Sequence, residues 1–125
     1  MYHLILVCAG GAIGAGLRHF TNIAAARALG AVFPWGTLTV NIIGSFAMGL
    51  FIEILARKLN ASQELRLFVA TGILGGFTTF SAFSLDVAVL WERGAAGPAA
   101  AYVSVSVIVS ILALFAGLWL ARSML

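Results

Sequence analysis

Thr71-Gly72-Ile73-Leu74-Gly75-Gly76-Phe77-Thr78-Thr79-Phe80-Ser81-Ala82-Phe83-Ser84 sits inside residues 67–85, which carry no charge between Arg66 and Asp86. An apolar run of about 20 residues crosses a hydrocarbon core as a helix. Two adjacent glycines followed by two threonines are nevertheless poor helix material. The helix predicted over 66–90 is therefore expected to break near mid-membrane. Carbonyls freed there cannot be satisfied by lipid, so protein, water or an ion must take them. Phe80 and Phe83 are three apart and project from one face. An aromatic ring has a positive edge, so its C–H groups can face an anion in a dehydrated site. Core packing is the competing reading of the same pair.

The chain around this stretch has the same character. Of its 125 residues 62% are hydrophobic and 9% charged, and the mean hydropathy is +1.11. A soluble domain carries about a quarter charged residues, and four acids with seven bases cannot solvate a globular surface. The charges instead mark boundaries: Arg18 and Arg27, then Glu53 to Lys58, Arg66 and Asp86, and finally Arg122. Between them the sequence predicts four transmembrane helices, over about 4–26, 35–56, 66–90 and 99–121, in one all-α domain spanning 1–125. Gly30 to Pro34 and Gly94 to Pro98 read as turns, Ser62 as a helix N-cap, and Trp35, Trp91 and Trp119 as interfacial anchors. The first apolar segment lacks a preceding basic region and is expected to be a retained helix. Four spans use up the chain, which excludes a large extramembrane catalytic or nucleotide-binding domain. The densest base cluster, Arg57-Lys58, is no nucleic-acid surface, and Cys8 has no partner for a disulfide or zinc site. His3 and His19 have no evident acid or thiol partner in the sequence.

Polar groups inside spans are costly and mark function or close packing. Arg18 reads either as a snorkelling structural residue or as a fixed positive charge drawing anions toward a vestibule. Thr37 and Asn41 share a helix face, and Tyr102, Ser106 and Ser110 form a stripe at i, i+4 and i+8 of the last helix. Such groups either glue helices together or line a pore. Gly10/Gly14, Gly72/Gly76 and Ser45/Gly49 have the spacing of small-residue helix contacts. Lysine and arginine counts barely favour one orientation, four bases on one side against two or three on the other. Either both orientations form or the central loop fixes one. Four helices leave no room for a wide aqueous path, so a transport route is expected to need a second subunit.

These pieces, in this order, resemble the CrcB/Fluc family of fluoride channels. The resemblance rests on Gly10 to Ala15 leading to Arg18, on Pro34-Trp35-Gly36-Thr37-Leu38-Thr39-Val40-Asn41 with Gly44, and on the stretch from Thr71 to Ser84. It covers essentially the whole chain. It implies a dual-topology, antiparallel homodimer in the bacterial inner membrane that lets fluoride out passively. Phe80 and Phe83 then resemble the family's phenylalanine box and Asn41 its anion-facing amide. Thr37, Tyr102, Ser106 and Ser110 fall on the polar route, with Arg18 at a vestibule. The resemblance further implies a structural, non-permeating Na+ held by the carbonyls of Gly75 and Thr78 from both subunits. Ala82 stands where threonine is frequent, and Asp86 where glutamate is common. A small dual-topology multidrug exporter is the alternative, but it relies on a carboxylate within its first helix, and the acids here are Glu53, Glu64, Asp86 and Glu92.

Overall fold

The computed structural model describes residues 1–57 and 62–125. Every regular element in them is helical: α1 Tyr2–Leu29, α2 Trp35–Arg57, α3 Gln63–Arg66, a π-helical stretch Leu67–Leu74, α4 Gly75–Phe77, α5 Ser81–Glu92 and α6 Ala96–Met124. Four segments are long and apolar enough to cross a membrane: Tyr2–Leu29, Trp35–Arg57, Gln63–Glu92 and Ala96–Met124. The helices run past the predicted ends at most termini. At the last turn the reason is local. Gly94 takes the bend with φ 79°, and Pro98 sits in the first turn of α6, where no intrahelical N–H is required of it. Ser62 caps α3 as its sequence suggests, accepting from the Leu65 amide at 3.3 Å. Asn60 and Ala61, read with it as a polar loop, lie outside the described residues.

Glycine decides how closely the spans approach. A Cβ on Gly10 would strike the Phe68 carbonyl oxygen, and one on Gly14 the Ile73 carbonyl oxygen, so α1 lies backbone-to-backbone on the π-helical stretch. Gly76 meets the Gly11 carbonyl oxygen from the other side. The paired small-residue spacings of the first and third spans therefore fit each other. Gly49 does the same against Leu114 of α6, with Gly117, a residue the sequence did not single out, returning the contact to Phe46. α1 thus packs on the π-helical stretch and α4, and α2 packs along α6.

The backbone leaves the helix over Thr78–Phe80, between α4 and α5: the Thr78 amide still bonds the Leu74 carbonyl at 3.0 Å, but Thr78 itself turns to an extended conformation (φ −84°, ψ 160°). Gly75 and Gly76 themselves stay helical. The glycines let the segment reach α1, and the backbone departs from the helix only at the threonines. Away from this point, Glu53 near the end of α2 is nearly buried. It accepts from Arg57 at 2.6 Å and lies 3.1 Å from Arg122 of α6, tying two spans together at one end. His3 also finds an acid the sequence did not reveal, with Nε2 3.4 Å from Glu64 Oε1. The two are 61 positions apart, so only the fold brings them together.

Candidate functional site

The departure from helix at Thr78 is held by one side chain. Asn41, on α2, donates its Nδ2 to the Thr79 carbonyl at 3.0 Å and accepts the Thr79 amide on Oδ1 at 2.8 Å. An amide that meets both groups of one residue replaces the helical partners the backbone has given up. Thr79 Oγ1 then accepts the Ala82 amide at 3.1 Å and starts α5. Several carbonyls of the break lose their helical donors, those of Gly75 and Thr78 among them. In an unbroken helix the Thr79 amide would bond the Gly75 oxygen and the Ala82 amide the Thr78 oxygen. Both amides are engaged elsewhere, so Gly75 and Thr78 lose their helical donors. Gly44 makes the crossing close enough, since a Cβ there would run into Thr78 Cγ2.

Beside this break lies a groove of about 320 Å³ between α2, the break and α6. Asn41, Phe80, Phe83, Ser106 and Ser110 all line it, together with Ser45 and Thr79. Five of the residues read from the sequence as a polar or aromatic route are thus brought to one place. The hydroxyl oxygens of Ser106 and Ser110 are buried with no hydrogen-bond partner among the described residues. A buried hydroxyl left unpaired is costly, and both sit on residues that line the groove. The two phenylalanines differ. Phe83 is buried against Tyr102, with ring centroids 5.2 Å apart, whereas Phe80 is 77% exposed while still within 5.5 Å of Phe83.

The remaining predicted residues lie elsewhere. Thr37 lines a second pocket of about 280 Å³, beside the turn between α1 and α2, with Asp86 and Arg93. Tyr102 is fully buried between the two cavities. Its hydroxyl donates to Asp86 Oδ2 at 2.9 Å, and its ring is flanked by Phe83 and by Phe33, the latter edge-on at 5.5 Å. Arg18 lines neither cavity, and its Nε is buried without a partner among the described residues. Gly75 is exposed on the surface of the single chain. No group of three or more His, Cys, Asp or Glu that could hold a metal occurs among the described residues. The sequence missed the Asn41–Thr79 pairing, whose partners are 38 positions apart, and the burial of Thr37 beside Asp86 rather than beside Asn41. Helical spacing does put Thr37 and Asn41 on one face, but one turn along that face is enough to separate two cavities.

Comparison with known proteins gives one consistent result. The family model described as CrcB-like protein, Camphor Resistance (CrcB), matches residues 5–118. Among curated relatives, the chain is 73% identical to a protein of Chelativorans sp. (strain BNC1) named Fluoride-specific ion channel FluC, over 100% of both chains. Proteins of the same name from Mesorhizobium japonicum and Agrobacterium fabrum are 66% and 56% identical, over 99% of each chain.

Proposed function

The chain belongs to the CrcB-like protein family, and we propose that it is a fluoride-selective channel for passive efflux across the bacterial inner membrane. It is a channel and not an enzyme. The observation that carries this reading is the groove, where an amide, two unpartnered serine hydroxyls and two phenylalanines line one cavity among apolar neighbours. Fluoride is small and strongly hydrated, so a selective path must replace its water with closely spaced donors. Ser106 and Ser110 supply O–H groups. Asn41 spends one N–H on Thr79 and keeps the second, since an amide nitrogen carries two. The phenylalanine edges tolerate an anion and keep the groove dry. Net movement follows the gradient and the membrane potential, worth about 2.3 kcal/mol per charge per 100 mV, which drives anions out of a negative interior.

The functional unit is an antiparallel pair of chains inserted in both orientations, which is the symmetry this repeat-free chain lacks. The Phe80 ring meets Phe83 on one side but is left largely uncovered by its own chain, and a second copy supplies the cover. The same pairing brings two helix breaks together near mid-membrane. Among the carbonyls deprived of helical donors, those of Gly75 and Thr78 are the pair that the family resemblance implies, and neutral oxygens of this kind suit a hard monovalent cation. No cluster of carboxylates among the described residues offers a divalent ion what it prefers. The Gly75 and Thr78 carbonyls would hold Na+ there, and its charge would offset their exposed oxygens, while this chain's own residues shape the groove beside it.

Reconstituted in liposomes as the only protein, the chain is expected to release fluoride without ATP or a proton gradient and to retain chloride. Chloride release at a comparable rate would reject selectivity, and no fluoride release would reject the channel.

A further inference from the structure

The pocket beside the turn between α1 and α2 has no part in the groove, yet the two are adjacent. Thr37 and Asp86 form its inner wall, and Tyr102, bonded to Asp86, packs on Phe83 of the groove. Tyr102 thus stands between this pocket and the groove that Asn41 lines. The pocket's inner wall carries a carboxylate, which repels an arriving anion. Its rim carries the remedy. Arg93, just past the end of α5, donates Nη1 to the Val32 carbonyl at 3.4 Å, a long hydrogen bond. It makes no ion pair with any carboxylate among the described residues. A guanidinium has five N–H donors, so this one bond steadies the group across the pocket and leaves most of them to solvent. Opposite, Asn22 on α1 presses on Gly36 so closely that any Cβ at Gly36 would meet its Oδ1, and its amide makes no hydrogen bond among the described residues.

We propose that this pocket is the mouth of the anion path, and that Arg93, with the Asn22 amide beside it, captures a small hydrated anion there before it passes Tyr102. The inference rests on the channel reading above. A charged group lining a cleft raises local counter-ion concentration and on-rate by about tenfold or more, and the effect falls with ionic strength. A residue that only braces the turn has no such salt signature.

Initial fluoride efflux is measured from liposomes at about 0.01 M and about 1 M impermeant salt, where charges act over roughly 30 Å and 3 Å. The parent, Arg93→Gln, Arg93→Lys and Arg27→Gln are compared, Arg27 being a base of the same helix end that does not line the pocket. At low salt Arg93→Gln is expected to run roughly tenfold slower than the parent, and at high salt to come within about twofold. Arg93→Lys and Arg27→Gln are expected to stay near the parent at both. The proposal is overturned if Arg93→Gln matches the parent at low salt, or is slowed by the same factor at both salts. It is equally overturned if Arg27→Gln shows the same salt-dependent loss. A parent that releases no fluoride at either salt rejects the channel reading itself, and the mouth with it.

Discussion

Asn41 carries more of this structure than its position in an apolar helix suggests. Its amide replaces both helical partners of Thr79, at 3.0 and 2.8 Å, while lining the groove. Asn41→Ala removes both bonds and leaves a backbone amide and carbonyl of a part-buried residue unpaired. At about 1 kcal/mol for each bond, and more where a buried group stays unsatisfied, it is expected to lose about 2 kcal/mol or more and nearly all fluoride flux. Thermal unfolding of the purified protein in detergent, run beside the liposome assay, checks both. If stability is unchanged, Asn41 faces the groove alone and does not hold the break. Phe83 and Phe80 divide in another way. Phe83 belongs to the core with Leu38, Leu90 and Tyr102, so its ring has a packing role as well as a place in the groove. Phe80 has little to lose in the folded chain.

The third span shows what an element can and cannot disclose. Two glycines and two threonines pointed to an interruption, and residues 78–80 are not helical. The sequence did not distinguish the parts these residues play, because glycine lowers helix propensity and permits close approach by the same lack of a side chain. Gly76 turned out to touch α1 while remaining helical. The π-helical stretch Leu67–Leu74 left no trace in the hydropathy pattern, since all its residues but Thr71 are apolar or glycine. The groove was legible where polar residues recur on one face, as at Ser106 and Ser110. It was illegible where two elements had to meet, as at Asn41 and Thr79. Gly14→Ala is expected to force α1 off the third span, since the added Cβ would overlap the Ile73 carbonyl oxygen, and to sharply lower the yield of folded protein. Gly97→Ala, with open space around it, should leave yield and unfolding temperature unchanged. Equal behaviour of the two variants in size-exclusion and thermal assays would contradict this packing. The break itself makes a second prediction. Replacing all sodium with a bulky organic cation should stop fluoride efflux, and adding sodium back should restore it. Full activity throughout would leave the Gly75 and Thr78 carbonyls to water or protein.

At the scale of the whole molecule, most of the apolar surface faces outward. Phe20, Phe80, Leu85, Ile108, Ile111, Leu112 and Phe115 are all exposed on the single chain, as suits spans that meet lipid. The bases are shared almost evenly between the two ends, and Glu53 takes up two of them, Arg57 and Arg122, at the more basic end. It is the near-even count of bases, and not this pairing, that leaves little excess to fix one orientation. A tag at the C-terminus is accordingly expected to be reachable from both sides of the membrane in cells, and labelling from one side only, in an active protein, would contradict dual topology. For passage of fluoride through the groove beside the helix break, Phe80 offers the cleanest test, because its ring is largely exposed on the single chain. Fluoride efflux should be measured for Phe80→Ile in liposomes, with size-exclusion elution matched to that of the parent. The account predicts efflux slowed by about a hundredfold or more, equivalent to at least about 2.7 kcal/mol on the barrier, whereas efflux at the parent rate would show that the ion passes elsewhere.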